Sequence, residues 1–147
     1  MEIKKKLLAS CREQLESMAR DFQQEMDEAQ QSANEYGAPK DRYDAYRTQL
    51  LRKRDMFAQQ LAKLSSQIDV LDRIDLSRKC SSVEFGALVI TSNQKLFIST
   101  GLGKIEVDGE TYYAVSAAVP IYKAMEGKKE GDEFVFNGKK IKILRIS

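Results

Sequence analysis

The sequence contains no histidine and no tryptophan, and it has only two cysteines among its 147 residues. The lack of histidine removes the side chain that most often acts as a base near neutral pH and the commonest metal ligand. Cys11 and Cys80 lie far apart in different predicted segments, so they indicate neither a disulfide framework nor a zinc site. We therefore expect a reducing, intracellular setting and predict a cytoplasmic protein.

The chain also lacks long apolar runs and an excess of charge of either sign. No run approaches the length needed to span a bilayer, and residues 1–10 contain too short an apolar stretch for a signal peptide. The 24 basic and 22 acidic side chains nearly cancel, which argues against nonspecific binding of a polyanion as the main activity. No membrane partner is expected.

Glycine and proline are scarce in the first half, where residues 1–75 contain only Gly37 and Pro39. Both lie in one short segment, which predicts a break between two helices because glycine accepts positive φ and proline cannot continue a helix. We predict an antiparallel hairpin over residues 1–75 with its tip near residues 35–41. Each arm has about 32 residues, so at 1.5 Å per residue the hairpin should extend roughly 45 to 50 Å.

Apolar residues in both predicted helices recur at steps of three and four, which is the spacing of a coiled-coil seam. The predicted seam of the first arm is Leu8, Cys11, Leu15, Met18, Phe22, Ala29 and Ala33, with Met26 beside it, and that of the second is Tyr43, Tyr46, Leu50, Phe57, Leu61, Leu64, Ile68 and Leu71. Residues 21–35 carry only acidic charges, whereas residues 40–54 are mainly basic. Opposite charges near the turn favour antiparallel pairing of the arms.

After residue 80 the pattern changes to short β-rich runs separated by turn residues. The predicted strands are 83–91, 95–100, 104–107, 111–116, 133–136 and 140–146, with turns at 92–93, 108–109 and 137–138. Pro120 favours one short helix that ends at Gly127. The sequence thus predicts an α+β protein, with a helical hairpin followed by a small sheet-and-helix domain over residues 80–147.

Spaced motifs in this second domain resemble those of the Gre-type (GreA/GreB) family of bacterial transcript cleavage factors. Residues 83–89 match the family strand V-x-x-G-x-x-V, and residues 115–128 resemble I-S-x-x-S-P-I-A-x-A-L-x-G-K, followed by the turn at 130–132. Val119 departs from this pattern, because the family commonly has serine before the proline. The resemblance implies an FKBP-like C-terminal domain behind an antiparallel coiled coil, in agreement with the division above.

The resemblance also implies a partner and an activity. Gre-type factors bind RNA polymerase at the rim of its secondary channel and insert the coiled coil toward the active site when the RNA 3′ end has backed into that channel. Two tip carboxylates help hold a Mg²⁺ ion and its water for hydrolysis of the RNA. No cofactor is then bound stably, since Mg²⁺ is shared with the polymerase, and the factor stimulates the nuclease of the polymerase without being an enzyme itself.

The tip is where this sequence departs most from the family pattern E-H-G-D-L-x-E-N-A-E-Y. Glu35 and Gly37 align, but Ala38 occupies the first acidic position, and Asp41 occupies the second with a shorter side chain. Asp41 is the expected assisting and metal-binding carboxylate, with Glu35 or Asp44 as alternatives if the loop folds differently. Tip acids in a hairpin are more often solvated residues or helix caps, and Asp41 after Pro39 also suits a cap.

Two further surfaces follow from the resemblance. The apolar turn Val119, Pro120 and Ile121 is the expected polymerase-binding region, although the same residues suit a strand-to-helix core. The basic residues expected to contact extruded RNA are Arg47, Arg52, Lys53 and Arg54, which would equally form an ordinary solvated face.

Three alternatives remain open at this point. A regulator of the same channel would bind polymerase without promoting cleavage. The FKBP-like domain also permits a peptidyl-prolyl isomerase with a coiled-coil handle, although the absence of tryptophan argues against an aromatic-lined pocket. A purely structural scaffold is disfavoured, because a hairpin closed by a short loop buries its own seam.

Overall fold

The computed structural model describes residues 2–37 and 45–147. It contains two long helices, a third short helix and six strands: α1 Glu2–Tyr36, α2 Ala45–Asp72, β1 Leu88–Thr91, β2 Lys95–Ile98, β3 Gly103–Val107, β4 Glu110–Val115, α3 Pro120–Met125, β5 Glu133–Phe136 and β6 Lys139–Ile146. The predicted α+β class, with helices first and a sheet after them, is confirmed. No helix among the described residues is both long and apolar enough to cross a bilayer.

Backbone contacts divide the chain into two compact units. The hairpin unit is Gln14–Ile68, and the sheet unit combines Met1–Glu13 with Asp69–Ser147. The start of α1 and the end of α2 thus fold with the sheet. The cause is visible in three contacts from the first turns of α1, in which Lys4 reaches Ser147, Lys6 reaches Asp108 and Cys11 reaches Ser99.

Within the hairpin unit the helices run antiparallel. Phe22 packs on Phe57 with ring centroids 5.8 Å apart, while Glu25 faces Lys53 at 4.0 Å. α1 then ends where Gly37, at φ +86°, donates its amide to the carbonyl of Ala33 at 3.1 Å. The left-handed conformation that glycine accepts thus closes the last turn of the helix, as the sequence predicts.

The predicted seam is not buried along its whole length. Five of its residues are only partly buried, namely Phe22, Leu50, Phe57, Leu61 and Ile68, Tyr43 lies outside the described residues, and three further positions depart from the buried stripe. At the start of α1, Leu7 is fully buried and Leu8 is not. This part of the helix belongs to the sheet unit, and Leu7 lies on the same helix face as the buried Cys11. Met18 is 41% exposed and Tyr46 is 55% exposed, so both lie at the margin of the helix pair. The fully or nearly buried residues of the predicted seam are Cys11, Leu15, Ala29, Ala33, Leu64 and Leu71.

The six strands form one mixed sheet in the order β3-β4-β2-β1-β6-β5. β2 and β4 are parallel, and every other neighbouring pair is antiparallel. The two predicted turns at 108–109 and 137–138 are confirmed as tight hairpin loops, because Asp108 and Asn137 have positive φ, as do the glycines that follow them. This is the geometry that Asp-Gly and Asn-Gly favour.

β1 begins five residues later than the sequence predicts. Gly86 adopts φ +86°, and the amide of Ala87 bonds the carbonyl of Glu84, so a turn occupies this segment. Val83 instead exchanges backbone hydrogen bonds with residues just after α3, with its amide bonding Lys128 and its carbonyl accepting from Gly127. The segment 83–87 therefore ties the end of α3 to the sheet.

Both faces of the sheet are covered at its centre. On one face α3 contributes Tyr122 and Met125 to a core with residues from four strands: Val89, Leu96, Ile98, Phe134, Ile141, Ile143 and Ile146, together with Cys80, Val83 and Ala87. Phe97 and Ser99 alternate to the opposite face, where Ser99 contacts Cys11 of α1. The sheet unit is thus a layer of strands between α3 and the first turns of α1.

Candidate functional site

The described end of the hairpin is formed by the last turn of α1 and the first turn of α2. Tyr36 and Tyr46 meet there edge to face, with ring centroids 4.9 Å apart. Glu35 is exposed, and one of its oxygens accepts a hydrogen bond from the side chain of Gln31 at 3.1 Å. The aromatic pair thus holds the two helices together beside an exposed carboxylate.

The other predicted tip residues, Ala38, Asp41 and Asp44, lie outside the described residues. The assisting role of Asp41 and the shared Mg²⁺ therefore stay predictions. Residues 2–37 and 45–147 contain no group of three or more acidic or cysteine side chains that could hold a metal ion by themselves. Carboxylates are the donors that Mg²⁺ prefers, so Glu35 and the two tip aspartates have suitable chemistry for one shared ion.

Four glutamine-led pairs line the outer half of α1. Each glutamine donates its side-chain amide to the residue one turn later: Gln23 to Asp27, Gln24 to Glu28, Gln30 to Asn34 and Gln31 to Glu35, at 2.9 to 3.1 Å. Pairs at this spacing stabilise a helix by about 0.2 to 0.5 kcal/mol each. They support the arm toward Glu35 through contacts between residues of α1 itself.

The predicted RNA-contact residues differ in their surroundings. Arg52 and Lys53 are exposed, and Lys53 lies 4.0 Å from Glu25 of the facing helix. Arg54 donates to Gln30 across the hairpin and to its neighbour Asp55, and Arg47 is half-buried. The four residues thus do not form one uniform basic face, and Arg52 and Lys53 are the ones presented to solvent. Contact with RNA stays a prediction.

The predicted polymerase-binding turn lies between β4 and α3. Pro120 is the first residue of α3 and is exposed, whereas Val119 and Ile121 are partly buried against the core on this face of the sheet. Ala117 and Ala118 next to them are exposed as well. Val119 and Ile121 thus support the core, while Pro120 faces solvent. Binding of polymerase by this turn stays a prediction.

Lys4 is a notable residue that the sequence reasoning missed. Its side chain is only 1% exposed, and its ammonium donates to the carbonyl oxygen of Ser147 at 3.3 Å. The sequence does contain a sign of this burial, because Lys4 continues the stripe of Leu7, Cys11 and Leu15 at helical spacing.

Burial raises the pKa of the Cys11 thiol to about 11, and Ser99 opposes part of that rise. Cys11 is therefore an unreactive packing residue at neutral pH.

Comparison with known proteins gives a structural likeness. No family model matches the sequence, and no curated protein matches it. Among solved structures, the chain is similar to GreA factor homolog 1 (Gfh1) of Thermus thermophilus, with 16% identity and a TM-score of 0.35 over 94% of this chain and 95% of that chain. A likeness at this TM-score carries no argument about function.

Proposed function

We propose that this protein is a Gre-like factor that binds RNA polymerase and inserts its helical hairpin into the secondary channel. The observation that carries the proposal is the hairpin unit itself. Its helices stay paired from Phe22 and Phe57 to Tyr36 and Tyr46, and its described end presents Glu35 to solvent. From Gln14 to Tyr36 the helix spans about 35 Å at 1.5 Å per residue, which suits a probe that enters a narrow channel.

In this proposal the protein promotes transcript cleavage without a complete active site of its own. When bound, Mg²⁺ would supply Lewis acidity and an activated water. The residues of this chain that would hold it are Asp41, with Glu35 or Asp44 as alternatives. The glutamine pairs of α1 stabilise the helix that carries Glu35. Exposed Arg52 and Lys53 offer positive charge to the phosphates of extruded RNA.

A test of the proposal compares tip variants in a cleavage assay on backtracked complexes of the cognate polymerase. Asp41→Asn should abolish Mg²⁺-dependent stimulation while leaving polymerase affinity nearly unchanged, because the amide keeps the shape of the acid but holds a hard cation poorly. Ala38→Asp restores the carboxylate that the family pattern contains and should raise the cleavage rate. Asp69→Asn, an exposed acid on the same helix pair, is the matched control and should change neither quantity.

A second candidate function is supported by Ala38 itself. With one of the two expected tip carboxylates replaced, the protein would regulate polymerase by occupying the channel and would not promote cleavage. Wild-type protein that binds polymerase and lacks cleavage activity would favour this candidate, and a gain of cleavage in Ala38→Asp would strengthen it. Full wild-type cleavage that persists in Asp41→Asn would instead contradict the metal role of Asp41.

A further inference from the structure

The sheet ends in a strand whose outer edge is available for pairing. β5 is the last strand in the sheet order and pairs only with β6. Phe136 and Lys139 flank the two-residue turn and face each other, as do Phe134 and Ile141. In an antiparallel pair alternate residues direct their backbone groups to opposite sides, so Glu133 and Val135 direct theirs away from β6. Edges of this kind accept an added strand.

Apolar side chains accompany this edge on the face away from α3. Val135 is 65% exposed and Leu144 is 52% exposed, and they are the only large apolar side chains of the described sheet unit exposed to that degree. Val135 lies opposite Lys140, and the alternation of β6 places Lys140, Lys142 and Leu144 on one face. We call Glu133, Val135, Lys140, Lys142 and Leu144 the β5–β6 patch.

Positive charge is concentrated around the patch. Residues 128–147 hold six of the 24 basic side chains and only three of the 22 acidic ones. Lys140 is paired with Glu133 at 2.8 Å, but no acidic side chain among the described residues lies within ion-pairing distance of Lys139, Lys142 or Arg145. Lys139, Lys142 and Arg145 are therefore cations without an acidic partner among the described residues, close to the apolar side chains of the edge.

We propose that the β5 edge binds an acidic, extended peptide segment of a partner protein, which adds to the sheet as a seventh strand. Backbone pairing with Glu133 and Val135 would supply the register, Val135 and Leu144 would receive apolar side chains, and Lys142 would receive a carboxylate. A second copy of this chain fits less well, because its own residues 128–147 carry six basic side chains against three acidic ones and so bring no acidic excess to the unpaired lysines. A nucleic acid would leave the apolar side chains and the edge amides unused.

The test uses the full-length protein and a short synthetic peptide that repeats Val-Thr-Glu-Thr, so that valine and glutamate alternate along one face of the added strand. Binding is followed by titration, and the exchange of the Val135 amide is followed by NMR. We expect saturable, salt-dependent binding that slows exchange at Val135 by about tenfold or more, because the amide becomes hydrogen-bonded. The same peptide with N-methyl groups on alternate residues keeps its charge but cannot pair, and it should lose binding.

Protein variants address the charge separately. Lys142→Glu should weaken binding of the peptide by about tenfold, since it replaces an attractive contact with a repulsive one. Lys104→Glu, an exposed lysine on the opposite edge strand β3, is the matched control and should leave binding within about twofold. Circular dichroism confirms that both variants remain folded.

Three results would overturn the proposal. Equal binding of the N-methylated peptide would show that charge alone attracts it. Protection of Val135 that rises with protein concentration in the absence of peptide would identify a second copy as the occupant. Equal protection of Val135 by a single-stranded oligonucleotide would show a nucleic-acid surface. None of these results bears on the hairpin, so the proposal stands or falls separately from the transcription function.

Discussion

The sheet unit and the hairpin unit bury their apolar side chains to very different degrees. In the sheet unit, residues from four strands and α3 form a core in which each member is at most 6% exposed. Among the described residues of the hairpin unit, only Leu15, Ala29, Ala33 and Leu64 are buried, and two of these are alanines. The contact between Phe22 and Phe57 is partly open to solvent. The sheet unit is therefore expected to be the more stable of the two, and the hairpin unit to open locally at a lower free energy.

The largest effect is expected at the start of α1, where a substitution can show whether these turns fold with the sheet unit. Leu7→Ala should destabilise the protein by about 3 kcal/mol, because it leaves a cavity at a fully buried position between Lys4 and Cys11. Urea unfolding measures the loss, and amide exchange should show faster opening of β2. Leu8→Ala, at the half-buried neighbour, is the control and should cost about 1 kcal/mol or less. A larger cost for Leu8→Ala than for Leu7→Ala would place the seam at Leu8, as the sequence alone predicts.

A smaller effect is expected in the arm. Phe57→Ala should destabilise the protein by about 2 kcal/mol, which is below the usual range for a buried aromatic because this ring is only partly buried. Amide exchange should accelerate in residues 14–37 and 45–68 while the sheet keeps its protection. Met56→Ala, at a side chain 50% exposed, is the control and should change stability by less than about 0.5 kcal/mol. Faster exchange in β1 or β2 would show that the units do not open separately.

The smallest effect is a dependence of stability on pH, and it concerns only the sheet unit. Hydrogen bonds from the Ser77 side chain and then from its backbone amide lower the pKa of Asp75 below its ordinary value of 3.8. A lowered pKa stabilises the folded state above 3.8, and that stability is lost as the pH falls through the folded-state value. Ser77→Ala should therefore reduce the drop in the urea midpoint below pH 4. An unchanged pH profile would exclude this contribution.

Much of the fold was accessible from local patterns. Gly37 and Pro39 predict the break between the helices, and Asp108-Gly109 and Asn137-Gly138 predict two hairpin turns that the structure contains. The positions that differ depend on distant neighbours. Leu7 is buried in place of Leu8 because the sheet unit packs with α1, and no periodicity within one helix contains that information.

The candidate site was accessible only in part for a similar reason. Glu35 is exposed, as a tip carboxylate must be, but the surroundings of Arg54 depend on Gln30 across the hairpin. The exposed Val135 could not be recognised from strand alternation alone, because alternation does not say which face of an edge strand is covered. Tertiary contacts decide each of these cases.

We propose that the end of the hairpin reaches the active site of RNA polymerase, and radical footprinting can detect it there. Fe²⁺ replaces Mg²⁺ in the active site of the cognate polymerase, and the hydroxyl radicals it generates cut protein chains close to the metal. We expect cuts confined to the neighbourhood of residues 35–46, with the sheet unit intact. Cuts in the sheet unit, or none in a complex shown to be fully bound, would contradict it.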